Sequence, residues 1–223
     1  MEEARAMNIF SDILFFDSSR LPEDFKSKHM SFMKSQTRGF GYWIWKPQVI
    51  SLALKRATTS DVVVYLDAGF TLNSAARARF QEYIEITMDS PFRMLSFQNV
   101  HTEAMWTKAD LANRLGVAQH SHIMKTSQLG GGFVILGKTS SNLDLISQWQ
   151  EIAIEENYRY SDDSPSLAEN HPKFREHRHD QSIFSLLRKI RGTTLTHYEV
   201  QPYTQSFENL KQQLPVWATR ARV

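Results

Sequence analysis

RGFGYWIWKPQVISLALKRATTSDVVVYLDAGFTLN, residues 38–73, is the stretch whose reading decides the fold. It has three parts. Residues 38–46 are rich in glycine and aromatic side chains. Pro47 then opens an amphipathic helix that runs to about Ala57; proline suits a first helical position because its missing N–H would go unpaired there anyway. Val49, Ile50, Leu52, Ala53 and Leu54 supply an apolar stripe at roughly helical spacing. Residues 62–66, VVVYL, are β-branched, aromatic and continuous, the pattern of a short parallel strand covered on both faces. That strand stops on Asp67-Ala68-Gly69, and a carboxylate just past a strand's C-terminal end lies where open α/β sheets bind ligands.

Outward from this stretch, helices and strands alternate. Toward the N-terminus, Glu2 to about Ile9 reads as a short helix and residues 12–16, DILFF, as a strand. Residues 21–35 read as a helix with Pro22 in its first turn and Phe25, Met30 and Met33 inward. Downstream, Ser74 is placed to cap a helix that runs to about Met88. Residues 93–98 read as a strand, 98–106 as a loop, and Thr107 as the cap of a helix stopped by Gly116. Three glycines, Gly130 to Gly132, precede a strand at 133–136. Glycine before a strand fits either close approach of a ligand or a plain turn. A phosphate-binding P-loop matches poorly, since no Gly-Lys-Ser/Thr and no helix follow. Residues 141–156 carry a helical apolar face. Residues 158–173 form a polar, proline-containing loop able to cover a site. Residues 176–182, EHRHDQS, crowd ionisable groups before an apolar helix, which suits a site more than a surface; Asp180 could equally cap that helix. A strand at 195–200 and a helix at 207–213 complete the reading, before a basic end with Arg220 and Arg222.

Composition narrows the chemistry. The chain has 223 residues, enough for one domain with a core of its own. Its 26 Lys and Arg against 24 Asp and Glu leave a charge of +2, which argues against a nucleic-acid partner. There is no cysteine, so disulfides, thiol catalysis and cysteine-ligated zinc are excluded. No apolar run approaches the ~20 residues of a membrane span. No hydrophobic signal region opens the chain, so a cytoplasmic location is expected.

Three motifs in order, RGFGYWIWKP, YLDAG and EHRHDQSIFSLL, resemble poorly characterised bacterial and viral glycosyltransferase-like proteins and, more distantly, glycogenin-like transferases of the GT-A class. The resemblance implies an α/β fold: a single GT-A-like, Rossmann-like domain with a central, mostly parallel sheet flanked by helices. It implies a nucleotide-sugar half at about 1–100 and an acceptor half at about 101–223. The class's first strand would have no counterpart before Glu2. The implied activity is transfer of a sugar from a nucleotide-diphosphate sugar to a glycan or glycolipid precursor, with retention of configuration favoured. On the donor side it points to Arg38, Trp45, Lys46, Asp67, Ala68, Gly69, Gly131 and Gly132. On the acceptor side it points to Trp106, Lys108 and His179, with Asp180 and Gln181 as the catalytic pair.

The chemistry explains these residue types. Breaking a sugar–diphosphate bond develops negative charge that something cationic must stabilise. Manganese or magnesium on oxygen ligands is one solution. Asp67 is the expected ligand, completed by His179, Asp180, His197 or the diphosphate, because Gly69 stands where a second carboxylate would be. Arg38, Lys46 and Arg178 are the metal-free alternative. Ser182 likewise stands where the relatives carry a further acid. Both departures leave a second expectation open: a catalytically degenerate protein of the same fold that binds a nucleotide sugar or glycan. Trp43 and Trp45 fit either core packing or a flat platform for a sugar or base.

Overall fold

The computed structural model describes residues 1–197, 199–200 and 213–219. Its centre is a mixed five-stranded sheet. β1 (Val62–Leu66) pairs antiparallel with β5 (Phe133–Gly137), and β5 pairs antiparallel with β3 (Met94–Thr102). β3 also pairs antiparallel with β4 (Ser127–Leu129) and parallel with β6 (Thr194–Thr196). The expected mostly parallel sheet is therefore corrected to a mixed one. A continuous apolar run reports cover on both faces of a strand, not the direction of its neighbour. β5 lies between β1 and β3 and runs against both. Two strands of this sheet come from the first hundred residues or start there, and three from the rest, so the sheet is woven from both halves of the chain.

Side-chain alternation divides the core into two layers. Val63 and Tyr65 of β1, Met94 of β3 and Val134 and Leu136 of β5 face one way. There they meet α2 (Glu23–Ser35), α4 (Lys46–Arg56), α9 (Ser140–Tyr158) and α10 (His179–Arg191). Val62, Val64, Leu66, Leu95, Phe97, Phe133 and Ile135 face the other way, against Met7 of α1 (Glu2–Met7) and Phe80 and Tyr83 of α5 (Arg77–Asp89). A two-stranded antiparallel sheet, β2 (Thr71–Leu72) with β7 (Val216–Trp217), flanks this second layer. No helix among the described residues is long and apolar enough to cross a membrane.

Several local expectations need correction. Residues 12–16 form no strand: Leu14 and Phe15 face outward and only Phe16 packs on the core, so the run lacks two-sided burial. Asn73, not Ser74, supplies the cap, its side chain accepting from Ala75 N–H ahead of a 3-10 turn at Ser74–Ala76. β3 continues to Thr102 and a helical turn, α6 (Glu103–Trp106), follows where a loop was expected; pairing with β4 holds that polar extension in the sheet. Thr107 does not cap α7 (Ala109–Arg114); Asn170 Oδ1 takes the Ala109 N–H at 2.7 Å. The expected strand at 195–200 starts and ends early, as β6. Most of the helix placed at 207–213, together with Arg220 and Arg222, lies outside the described residues.

The backbone just before α4 is unusual. Gly39, Phe40, Gly41, Tyr42 and Trp43 all have positive φ, between 50° and 80°, in and just beyond the turn α3 (Gly39–Tyr42). Glycine accepts this freely, whereas L side chains do not. Gly39 is needed for a second reason: a Cβ there would lie 2.3 Å from the Trp43 ring.

Trp149 of α9 is fully buried and stacks on Phe184 of α10, with centroids 4.1 Å apart and planes 5° from parallel. Trp149→Ala should lower stability by about 3–5 kcal/mol, the cost of emptying such a site. Urea unfolding should show a lower midpoint with an unchanged slope.

Candidate functional site

One cavity, of about 650 Å³, opens where β1 ends. Four stretches build it. Residues 38–46 contribute Arg38, Trp43, Trp45 and Lys46; the end of β1 and the turn after it contribute Asp67, Ala68, Gly69 and Phe70. The link between β4 and β5 contributes Gly130, Gly131 and Gly132, and the start of α10 contributes Arg178, His179, Asp180 and Gln181. Trp106 closes one side.

Lys46 is the hub. Its side chain is 3 % exposed, yet its ammonium lies 2.6 Å from Asp180 Oδ2 and 3.4 Å from Asp67 Oδ1. It also donates to Gly131 C=O at 3.2 Å. The Tyr65 hydroxyl donates to the same Asp67 Oδ1 at 2.5 Å. Burial and the Asp67 charge hold that phenol well above its ordinary value, so it acts as a donor. Asp67 N–H donates to Gly132 C=O at 2.9 Å, tying the acid to the glycine link. Oδ2 of Asp67 lies 2.7 Å from where a Cβ on Gly132 would sit, with the Phe70 ring 2.8 Å from the same point. A Cβ on Gly131 would meet Gln181 at 3.1 Å. The glycines thus permit close approach of Asp67, Phe70 and Gln181 to the backbone.

One ammonium between two carboxylates produces opposite effects on the partners. Burial pulls Lys46 down, but Asp180 and Asp67 together hold its pKa above the ordinary value. Asp180 is pushed up to about 6: burial raises it, Lys46 opposes that, and the neighbouring Asp67 charge adds to it. Lys46 gains from two acids, whereas Asp180 shares its cation with a rival.

Aromatic and cationic groups form the mouth. Trp45 Nε1 donates to Gly39 C=O at 3.0 Å. The Arg178 guanidinium lies 4.2 Å over the Trp106 ring, whose other neighbour is His101 at 4.3 Å. Arg38 pairs with Asp163 at 3.3 Å and Glu176 at 3.7 Å, and Arg178 pairs with Glu176 at 2.5 Å. The segment 159–178 therefore borders the mouth and is held by the same arginines. His179 donates through Nδ1 to Ser161 C=O at 2.7 Å, and burial holds its pKa down to about 4, so the ring is neutral at physiological pH. It lies against the Tyr42 and Trp43 rings, at 4.8 and 5.7 Å.

The residues expected at the site line this cavity, apart from Lys108 and the candidate ligand His197. Lys108 is 2 % exposed and its ammonium donates to Asp162 and Ser164 beneath the segment 159–178, beside a separate cavity of about 240 Å³. It holds that segment in place and does not reach the main cavity. Asp180 does not cap α10; it reaches Lys46 instead, and Arg178 stands at the cap position without a side-chain capping bond. Gln181 lines the cavity, but both ends of its amide are engaged, by Gly131 N–H at 3.1 Å and by Gln128 Oε1 at 2.5 Å. His197, a candidate ligand, is exposed and does not line the cavity.

Sequence reasoning missed Tyr65, Glu103, Gln128 and Arg188. Arg188 is fully buried and donates to Leu129 C=O at 3.2 Å, Gly130 C=O at 2.8 Å and Ser96 Oγ at 3.0 Å. It falls on the inward face of α10 with Phe184 and Leu187, and that periodicity was the signal that could have found it. Glu103 and Gln128 carry no such signal. No known family, curated protein or solved structure matches the chain.

The Asp180 titration tests the electrostatics. Asp67→Asn removes the rival charge and should bring the Asp180 midpoint below about 6. Lys46→Met should raise it, as read by carboxyl carbon chemical shifts against pH. The folded value of about 6 exceeds the ordinary 3.8 of an unfolded chain. The group's contribution therefore favours the fold below about pH 4 and is lost as pH rises through 6. Lys46→Met, by raising the folded midpoint further, should enlarge that loss and carry it to higher pH.

Proposed function

We propose that this chain is a glycosyltransferase that moves a sugar from a nucleotide-diphosphate sugar to a hydroxyl of a glycan or glycolipid precursor. The observation that carries the reading is convergence: a strand-end acid, a glycine link and an acid–amide pair on a helix, far apart in sequence, line one cavity. Six aromatic residues line it as well: Trp43, Trp45, Phe70, Phe97, Trp106 and Phe133. Their rings offer apolar faces suited to the C–H surface of a sugar or the plane of a base.

In the reaction, the bond from the anomeric carbon to the diphosphate oxygen breaks and its electron pair leaves with the diphosphate. A bond from the acceptor oxygen forms, and the acceptor proton passes to a base or to solvent. Arg38 and Arg178, at the mouth, are the protein's candidates to meet the diphosphate charge. Lys46 is buried between Asp67 and Asp180, whereas the acid partners of Arg38 and Arg178 lie at the exposed mouth. Asp67 faces the sugar end, with Oδ1 fixed by Tyr65 and Lys46 and Oδ2 toward the glycine link. A divalent manganese or magnesium ion, when bound, would be held through Asp67 Oδ2, with other oxygens from the diphosphate, and would add positive charge at the leaving group. Asp180 and Gln181 act by holding Lys46 and Gly131, so they shape the site where acceptor and sugar meet.

One observation favours a second reading, a nucleotide-sugar or glycan binder without turnover. Lys46 already answers both acids inside the fold, which leaves no carboxylate of the pair unpaired for proton transfer.

Titration with a panel of UDP- and GDP-sugars, manganese present, separates the two. Release of nucleoside diphosphate that falls about a hundredfold or more in Asp67→Ala supports transfer, a loss typical of removing one electrostatic stabiliser. Binding without release points to the binder. No binding to any member of the panel would count against transfer from these donors and leave glycan binding as the second reading.

A further inference from the structure

Beneath the cavity floor runs a chain of buried polar side chains. Glu103 and Gln128 are each 0 % exposed. Glu103 Oε1 accepts from Ser185 Oγ and from Lys189 Nζ, the latter at 2.8 Å. Its Oε2 accepts from Thr107 Oγ1 at 2.7 Å and from Gln128 Nε2 at 3.2 Å. Gln128 Oε1 accepts from Gln181 Nε2 at 2.5 Å, and Gln181 Oε1 accepts from Gly131 N–H at 3.1 Å. On the other edge of that peptide, Gly130 C=O accepts from Arg188 at 2.8 Å.

The orientation of each amide follows from the one before it. A carboxylate facing a lysine can only accept, so the end of Gln128 beside Glu103 must be its NH2 group. Its oxygen then faces Gln181, which must offer NH2 there. The oxygen of Gln181 is left for Gly131, whose backbone N–H can only donate. Ser182 reinforces the choice: its hydroxyl donates to Trp106 C=O at 2.7 Å and accepts from Gln128 Nε2 at 3.1 Å. A reversed Gln128 amide would set donor against donor where Glu103 and Gln128 are closed to water, and a reversed Gln181 amide would set its NH2 group against the Gly131 N–H.

We infer that Glu103 and Gln128 are positioning residues: the chain Lys189–Glu103–Gln128–Gln181 determines which end of the Gln181 amide meets Gly131, and thereby sets the peptide between Gly130 and Gly131 that floors the cavity. Neither residue lines the cavity itself. The inference does not depend on sugar transfer, since it concerns the floor whatever the ligand.

Exchanging one oxygen for NH2 at the far end tests it. In Glu103→Gln, Lys189 and Ser185 retain the remaining oxygen, so the new NH2 faces Gln128. Gln128 must turn, Gln181 must turn after it, and Gly131 N–H then meets a donor. Hydrogen exchange of the Gly131 amide, followed by NMR, should become roughly tenfold faster, the scale of one lost hydrogen bond. The exchanged pair, Glu103→Gln with Gln128→Glu, restores an acceptor facing Gln181 and should return the amide to the wild-type rate. A role in packing alone predicts no such recovery. An unchanged rate in Glu103→Gln, or no recovery in the pair, overturns the inference. If Glu103→Gln fails to fold, the pair decides: folded with a protected Gly131 supports the relay, and unfolded overturns it. Should the wild type bind no nucleotide sugar while this exchange pattern holds, the relay stands and only the transferase reading falls.

Discussion

A single buried ammonium, that of Lys46, is the constraint to which the other parts of the site are fitted. Its partners come from three other places in the chain: Asp67 at the end of β1, Gly131 in the link between β4 and β5, and Asp180 on α10. Removing a charge from water costs several kcal/mol, and the pairing offsets that only when the geometry is good. Ion pairs of this kind add little net stability over an apolar equivalent, but losing one partner is strongly destabilising. Their effect here is positional. The helix before β1, the tip of β1 and the helix after the segment 159–178 have to meet within hydrogen-bonding distance. Forming the core and forming the cavity therefore require the same arrangement.

The approach of Lys46 depends on the backbone that precedes it. Five consecutive residues with positive φ, three of them carrying side chains, turn the chain sharply into α4. Each non-glycine residue in that conformation costs roughly 1–2 kcal/mol. The surroundings offset this: Tyr42 and Trp43 pack against His179, Gly41 N–H donates to Gln36 C=O at 2.8 Å, and Trp45 is tied to Gly39. Strain of this sort persists where the structure around it over-determines the conformation, and such places cluster at ligand sites. The turn sets both the lysine and two of the cavity wall's three indoles, Trp43 and Trp45, which links an awkward backbone to the site's shape.

The glycine link is held as firmly as the lysine. Leu129 N–H donates to Ser185 Oγ, Leu129 and Gly130 carbonyls accept from Arg188, Gly131 N–H donates to Gln181, and Gly132 C=O accepts from Asp67 N–H. Buried backbone polar groups need partners. In this link they find them on side chains of α10, on Lys46 and Asp67, and on β3, where Gly130 N–H donates to Phe97 C=O at 2.8 Å. Absence of side chains on the link allows Asp67 from one side and Gln181 from the other to come into contact with it. The result is a floor with little freedom to rearrange, the condition for a site that works by preorganised electrostatics.

Residue order and periodicity alone determined a good deal. The helix behind Pro47, the strand ending on Asp67, the long helix read at about 141–156 and the apolar helix behind the 176–182 run all follow from local pattern. The grouping of the strand-end acid, the glycines and the Asp180-Gln181 pair as one site does not follow from local pattern; it is an expectation from the resemblance of their motifs. Other features were decided only by the tertiary structure. The direction of β5, the failure of residues 12–16 to join the sheet and the extension of β3 to Thr102 depend on which edges are available for pairing. The removal of Lys108 from the site, the engagement of both ends of the Gln181 amide and the roles of Glu103 and Gln128 depend on contacts between residues tens of positions apart. Local spacing records which face of an element is buried. Which buried polar group answers which is settled by the packing of the elements, because a hydrogen bond depends on distance and angle in space and leaves no period along the chain.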